Sequence, residues 1–489
     1  MLSALIFVVY AAAVLSVLGY ALGQYHLFFQ YHANRQRAHR PCPHDAGREW
    51  PTVTVQIPLY NERYVAAAAI DACAALNYPR DRFDIQVLDD STDETVAIVD
   101  ERAAQWTAKG VTVTALRRPK RQGFKAGALA EATPQARGEF IALFDADFRP
   151  PADFLQQLVP EFDDARVGAV QGRWGHLNRE YSILTLAQSL LHDAFFVVEQ
   201  EARSRSGYFV RFNGSAGIWR RSAIDDAGGW SAETLSEDMD LAYRAQLKGW
   251  RIVYRRDVVA PAELPVTIAD YHTQQHRWHK GRSQVVRKLL GPTLRAKLHP
   301  MVKVHALFDQ VNAVVVPGVF LLALLAPLFA IAVINTQWMR VPAALFTLAN
   351  VNVLLLPAFG WVALHVYAEG AAARFRELVR TMPALVLLFL GMNFSLTMAL
   401  VEGVLDRNAE FRRTAKYRVE ADTARKAWQG KSYTPRRDLG ITWGSTVLAV
   451  LFASYVVFDV SIGSISLTMF HTTMAVSCAL VGARAWRRA

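Results

Sequence analysis

Phe140-Ile141-Ala142-Leu143-Phe144-Asp145-Ala146-Asp147 is a short apolar run that stops on two carboxylates. Five consecutive apolar residues ending this sharply read as a buried strand. On either side of it, residues 53–57, 85–88, 111–116 and 167–171 have the same character. The Ala- and Leu-rich stretches 65–76 and 95–108 between them read as helices. Strands alternating with helices predict an α/β fold with a mostly parallel sheet covered by helices. In such sheets ligands collect at the carboxyl ends of the strands, which is where the acids stand.

A lone Asp-x-Asp is equally a solvated turn or a capped helix start. Here the acidic ending is repeated, because the strand that closes on Leu88 runs into Asp89, Asp90, Ser91, Thr92 and Asp93. Two carboxylates two positions apart offer hard oxygen ligands to Mg²⁺ or Mn²⁺, and such an ion also bridges a diphosphate. A third acidic site, Ser236-Glu237-Asp238-Met239-Asp240, leads into a helix over 241–247. Two readings stay open for it. Ser236 and Glu237 suit a cap and a first turn, and Asp238 suits a general base for a hydroxyl attacking an anomeric carbon. Further on, Gln274-Gln275-His276-Arg277-Trp278 falls on an expected helix. Arg can hold a diphosphate by paired donors and Trp offers a flat face to a sugar ring, yet the same pair serves as an interfacial anchor.

The chain has 489 residues, 52% of them hydrophobic, and a net charge of +11. The average conceals two regimes. Residues 31–300 mix charged and apolar residues as a water-exposed domain does, and the remainder is mostly long apolar runs. A helix needs about 20 apolar residues to span hydrocarbon. Candidates are 2–29, 304–333, 341–367, 382–405, 440–460 and 464–483. The first lacks any preceding Lys or Arg and is followed by Arg35, Arg37 and Arg40, so it reads as an uncleaved anchor with its amino end outside. Six crossings would place the segment 406–438, with ten Lys/Arg against five Asp/Glu, on the outside. Treating 382–405 as a helix lying in the interface puts every basic segment on the cytoplasmic side, and Met392, Asn393, Ser395, Thr397 and Glu402 make that run the most polar. Five crossings are therefore expected. The basic charge reads as topology and headgroup contact, with membrane lipids and no nucleic acid as partner. Cys42, Cys73 and Cys478 have the spacing of neither a disulfide framework nor a zinc site. His192, His272, His276 and His279 do not form a metal set. Trp174 and Trp219 read as buried structural residues before acceptor platforms.

Asp89-Asp90, Asp145-Ala146-Asp147, Glu237-Asp238 and Gln274-Gln275-His276-Arg277-Trp278, in this order, resemble processive family 2 glycosyltransferases. Val55-Gln56-Ile57-Pro58-Leu59-Tyr60-Asn61-Glu62, Gln86-Val87-Leu88-Asp89-Asp90-Ser91-Thr92-Asp93, Phe144-Asp145-Ala146-Asp147-Phe148 and Phe212-Asn213-Gly214-Ser215-Ala216-Gly217-Ile218-Trp219 resemble the cellulose synthase-like A and C branches and their bacterial relatives. The resemblance covers residues 50–290 closely and the rest by layout. Two departures are Ser236, where the family usually has Thr, and Arg413. The latter lies in Phe411-Arg412-Arg413-Thr414-Ala415-Lys416, which is similar to the gating loop of cellulose synthases, where Val is usual.

The resemblance implies a type-A glycosyltransferase fold, a Rossmann-like mixed sheet inserted in a helical membrane region. It implies an anchor over 1–30, a cytoplasmic catalytic domain over 31–262 and interfacial helices over 263–300. Two crossings and an interfacial helix would follow over 301–405, a gating-type loop over 406–438 and two crossings over 439–489. Asp89, Asp90 and Lys125 would serve the nucleotide side, and Asp145 and Asp147 the metal–diphosphate with Mg²⁺ or Mn²⁺. Asp238 would be the base beside Glu237. Gln274, Gln275, Arg277 and Trp278 would line the acceptor and diphosphate site, and Phe411, Thr414 and Lys416 the gating loop. The expected activity is inverting transfer from GDP-mannose or UDP-glucose onto a glycan acceptor. It would build a β-(1→4)-linked mannan, glucomannan or glucan with coupled export, in an inner, plasma or Golgi membrane. The alternatives are transfer of a sugar to a lipid and a non-catalytic transport or scaffold subunit, and the intact acidic sites argue against the second.

Overall fold

The computed structural model describes residues 2–34, 49–335, 354–405, 413–420, 428, 429, 431, 433 and 439–486. Phe411 lies outside the described residues. Seven strands form one sheet: β1 Val53–Leu59, β2 Phe83–Asp89, β3 Thr112–Leu116, β4 Phe140–Leu143, β5 Val167–His176, β6 Gly217–Arg220 and β7 Arg251–Ala262. Their order is β3-β2-β1-β4-β6-β5-β7. β1 runs parallel to β2 and β4, and β2 parallel to β3. β6 is antiparallel to β4 and β5, which makes the sheet mixed.

The register explains why the acids meet. β1 is fully covered on both faces apart from Pro58, as parallel strands under helices must be. Asp89 pairs with Leu59 and Leu143 with Gln56, so the chain leaves β2 and β4 at one edge of the sheet. β6 runs the other way and starts at Gly217 opposite Leu143. The loop that feeds it therefore arrives beside the same edge. Val53, Val55 and Ile57 point into one core with Ala66, Ile70 and Val99. Leu88, Ile141, Leu143 and Trp219 point into a second core with Leu241 and Ala242 on the opposite face. Trp219 is fully buried and structural, as its sequence context predicts.

Among the described residues five helices are long and apolar enough to cross a membrane: Ala4–Asn34, Pro300–Ile331, Ala371–Leu405, Trp443–Ser461 and Ile465–Ala483. The first packs on the second, with Tyr10 stacked on Phe329 at 4.0 Å. Its carboxyl end reaches the sheet domain, where Gln24 donates to Glu199 at 3.2 Å and Arg256 to Tyr31 at 3.2 Å. The run expected over 341–367 is described only from Leu354, as the shorter apolar helix Leu355–Val366.

The run expected over 382–405 belongs to a longer helix, Ala371–Leu405, whose first turns carry Arg374, Arg376 and Arg380 ahead of Pro383. Near its start Glu377 pairs with Arg179. Near its end Lys280 bonds Glu402 at 3.3 Å and Arg287 donates to Val404 O at 3.3 Å. At 1.5 Å per residue, the span from 377 to 402 is about 37 Å. One end of that length touches the sheet domain and the other the Ile268–Arg295 helix that continues from it.

Candidate active site

Each carboxylate at the sheet edge is held by a cation from a different part of the chain. Arg118 makes a two-pronged bond to Asp90, with Nε to Oδ1 at 3.0 Å and Nη2 to Oδ2 at 2.5 Å. Lys125 donates to Asp145 Oδ1 at 2.6 Å and to Gly214 O at 2.8 Å, and lies 3.8 Å from Glu237. The Ser215 hydroxyl accepts from Asp145 N at 2.9 Å. Burial pushes the Asp145 carboxyl up, but Lys125 and Lys416 outweigh it and hold it below the usual carboxylate range.

The segment 413–420 docks over this edge. Lys416 Nζ lies 2.5 Å from Asp147 Oδ1 and 3.6 Å from Glu62. Burial pulls the Lys416 ammonium down, yet Asp147 and Glu62 outweigh it and raise it. Arg413 donates to Tyr60 O at 3.1 Å and its guanidinium sits 4.4 Å over the Tyr433 ring. Behind the segment, Glu263 accepts from the backbone N–H of Tyr417 at 3.0 Å and of Arg418 at 2.8 Å. Burial lifts the Glu263 carboxyl to about 7 in spite of those bonds.

Asp238 stands in the first turn of the Glu237–Leu247 helix. The Ser236 side chain makes no cap bond there, so the capping alternative for it falls away. Ser236 instead packs where a Cβ on Gly281 would fall, 2.4 Å from its hydroxyl oxygen. Met239 N donates to Asp238 Oδ1 at 2.8 Å. Gly214, at φ +76°, comes so close that a Cβ there would lie 2.8 Å from Asp238 Oδ2. Left-handed backbone and close approach both require glycine at that point. Burial first, and the Glu237 charge second, push the Asp238 carboxyl up to about 7, against Lys125 and Arg277. A carboxylate raised this far accepts a proton near neutral pH, as a general base must.

One cavity of about 470 Å³ collects these groups. Asp90, Lys125, Asp145, Asp147, Glu237, Asp238, Gln274, Gln275, Arg277, Trp278, Thr414 and Lys416 all line it, and it runs on to Tyr20, Val316 and Phe389 of the apolar helices. Asp89 does not line it. Its carboxylate accepts from Arg117 Nε at 2.9 Å and from Ser91 N at 3.0 Å. Trp174 does line it, against the structural reading, with its ring 6.3 Å from Trp278.

Glu62, Arg118, Arg121 and Glu263 are site residues that the sequence reading does not single out. Arg121, with its guanidinium 3.6 Å over the Tyr60 ring, and Arg118 sit a few residues before Lys125. Basic residues beside an acidic strand end are the signal that points to them. Buried atoms on the cavity wall without a partner among the described residues include Gln274 Oε1, Thr414 Oγ1 and His192 Nε2. Leaving each so costs about 1–3 kcal/mol, a debt that the hydroxyls or phosphates of a ligand would offset.

The donor set at Asp145 and Asp147 is all oxygen, as Mg²⁺ or Mn²⁺ prefers. An ammonium already stands on each carboxylate, so positive charge is electrostatically favoured at both. Among the described residues no group of three or more His, Cys, Asp or Glu gathers as a metal cluster. An ion held here would complete its shell from phosphate oxygens or water, the usual state of Mg²⁺.

Residues 51–281 match the family described as "Glycosyltransferase like family 2". Glucomannan 4-beta-mannosyltransferase 1 of Oryza sativa subsp. japonica is 42% identical over 266 residues, 53% of this chain and 51% of that protein. The protein of the same name from Cyamopsis tetragonoloba is 43% identical over 264 residues, 53% of this chain and 50% of that one. The chain thus spans about half the length of the curated relatives it matches. Among solved structures, a mannosyltransferase from Pyrobaculum calidifontis in complex with GDP-Man and Mn²⁺ superposes with a TM-score of 0.56 at 22% identity, covering 82% of this chain and 100% of that one.

Proposed function

Because residues 51–281 are a glycosyltransferase family 2 domain of the type-A fold, we propose that the chain is a membrane-embedded inverting hexosyltransferase that extends a β-linked polysaccharide. The observation that carries this is the meeting of Asp90, Asp145, Asp147 and Asp238 in one cavity that opens past Trp278 toward the apolar helices. A soluble transferase has no need for such a continuation, and a scaffold has no need for the acids.

In this reading Asp238 takes the proton from the acceptor hydroxyl, which attacks the anomeric carbon on the face opposite the nucleotide. Inversion of an α-linked donor gives a β-linked product. Arg277 and Lys416 stand on the side where negative charge develops on the departing diphosphate, and fixed cations in a dry pocket stabilise it. A divalent ion held by Asp145 and Asp147 would supply further charge compensation to the diphosphate. Asp90, clamped by Arg118, presents its carboxylate toward the nucleotide. Closure of the 413–420 segment keeps water from the donor, and Thr414 Oγ1 is free there to meet it.

The donor favoured is GDP-mannose, ahead of UDP-glucose, and the product a (1→4)-linked mannan or glucomannan. The names of the rice and guar relatives and the ligand of the archaeal structure support that choice. The catalytic domain faces the cytoplasm, where nucleotide sugars are made. The excess of Lys and Arg over Asp and Glu in 406–438 supports this placement, and the carboxyl end of the first helix, followed by Arg35, Arg37 and Arg40, rests on the same domain. With Mn²⁺ and a β-mannan oligosaccharide, the purified chain should release GDP from GDP-mannose and yield polymer that a β-mannanase digests. Turnover of neither GDP-mannose nor UDP-glucose, or a product of one sugar on lipid, would overturn this reading.

A further inference from the structure

Trp174, Trp278 and His192 line the same cavity as the acids and the apolar helices, and they neighbour one another there. The His192 ring lies 5.8 Å from Trp278 and 6.4 Å from Trp174, and the two indoles are 6.3 Å apart. Trp174 is fixed by its indole N–H, which donates to Ser215 O at 3.2 Å. Ser215 also receives Asp145 N, so this wall and the acidic edge share one loop. His192 is on the last turn of the Ile183–Asp193 helix, and the chain then widens into the π-helix Ala194–Gln200. Such wide turns are rare and recur at functional sites.

Nε2 of His192 is buried and has no hydrogen-bond partner among the described residues. Its neighbours do not use it: His176 Nε2 is bonded to Asp193 at 3.2 Å, and Tyr367 donates to the same carboxylate at 3.3 Å. Burial, helped by His176, lowers the His192 ring to about 3, so it is neutral at working pH and repels neither phosphate nor cation. The result is a nitrogen set among flat apolar rings in a space that opens to the reacting acids. Sugars have this pattern, with an apolar C–H face for stacking and hydroxyls around its rim. A hydroxyl both donates and accepts, so it suits either tautomer of the ring.

We infer that His192 is an acceptor-reading residue, whose Nε2 bonds a ring hydroxyl of the sugar held against Trp174 and Trp278. This fixes the rotation of the terminal sugar and hence which hydroxyl is turned to Asp238. It deepens the function proposed above and rests on it. The sequence gives little sign of it, since a single His inside Leu190-Leu191-His192-Asp193 reads as a satisfied core residue.

The test uses the full chain in detergent, with GDP-mannose as donor and mannotetraose as acceptor. His192→Phe keeps a flat ring and removes the nitrogen, and His192→Gln returns a polar group near the Nε2 position. Acceptor KM should rise about tenfold in His192→Phe, the usual effect of one lost hydrogen bond, and recover most of the way in His192→Gln. GDP affinity by calorimetry should match the wild type in both. An unchanged KM in His192→Phe, or equal losses in the two variants, would overturn the inference, since packing alone would then explain the residue. If His192→Phe loses GDP binding, His192→Ala takes its place under the same criteria. No turnover in the wild type would instead count against the proposed function itself.

Discussion

Lys416 Nζ rests 2.5 Å from Asp147 Oδ1, joining a loop beyond the apolar helices to the sheet edge across 269 positions of sequence. In the function proposed, the loop supplies at Asp147 the positive charge that a divalent ion would otherwise bring. Lys416→Met should therefore have two opposite effects. Mn²⁺ binding without nucleotide, followed by electron paramagnetic resonance, should tighten because the competing ammonium is gone. Turnover should fall about 10²–10³-fold, the usual loss for one preorganised charge partner of the transition state. Weaker Mn²⁺ binding in the variant would show that the lysine does not compete.

Asp238 carries a second expectation with a defined sign. A base acts when unprotonated, so log kcat should rise with pH below about 7 and level above it. Glu237 is one of the charges raising Asp238, so Glu237→Gln should move the rising limb to lower pH. Burial, the larger cause, should keep it above the ordinary carboxylate value. Asp238→Asn should lower kcat by about 10²–10⁴ at unchanged GDP affinity. The linkage to stability has the opposite sense to turnover. A carboxyl raised on folding favours the folded state below its unfolded pKa, and that contribution is lost as pH rises through the folded value.

Glu263 holds the docked loop by accepting from two successive backbone N–H groups, those of Tyr417 and Arg418. In Glu263→Gln one acceptor becomes an NH₂ donor facing a donor, so at least one bond is lost. The expected result is faster proteolysis near residue 417 and a donor KM raised by about tenfold, with Asp238 chemistry otherwise intact. Proteolysis at the wild-type rate would mean that Arg413 and the Tyr433 ring hold the loop without it.

The strand that positions Asp145 was legible because β4, buried on both faces, is a continuous apolar run, and the one before Asp90 because Ile85, Val87 and Leu88 stand out around Gln86, which the sheet satisfies through Gln56. β6 was not, because four residues opening on Gly217 leave too short a pattern. β7 was hidden by Arg251, Arg255, Arg256 and Asp257, which break its alternation where the β5–β7 register shifts. The Ala371–Leu405 helix was foreseen only from 382, since the arginines ahead of Pro383 look like a loop until Arg179 and Glu377 are seen to pair. Asp89 and Asp90 are indistinguishable in sequence. Alternation along the strand sends one to Arg117 and the other to the cavity, and only the fold says which. The Lys416–Asp147 and His192–Trp278 contacts are between distant segments that no local pattern links.

Two glycines of the Ile268–Arg295 helix allow the approach of Trp278 and Arg277 to Asp238 to be tested as packing. A Cβ on Gly281 would lie 2.4 Å from Ser236 Oγ, 2.9 Å from Ser236 N and 3.0 Å from Leu235 C. Two of those atoms are backbone and cannot swing aside, so the helix or the turn before Asp238 must move. A Cβ on Gly291 would meet only the far end of Arg295, at 3.4 Å or more. Ala favours helix over Gly by up to about 1 kcal/mol, and both substitutions gain that. Gly291→Ala should therefore raise the melting temperature slightly and leave kcat alone. Gly281→Ala should be destabilised by about 1–3 kcal/mol, as overpacked sites are, and lose turnover because the displaced turn carries Asp238, the proposed base. Equal melting temperatures and equal kcat in the two variants would mean that the close contact between this helix and Ser236 does not position Asp238.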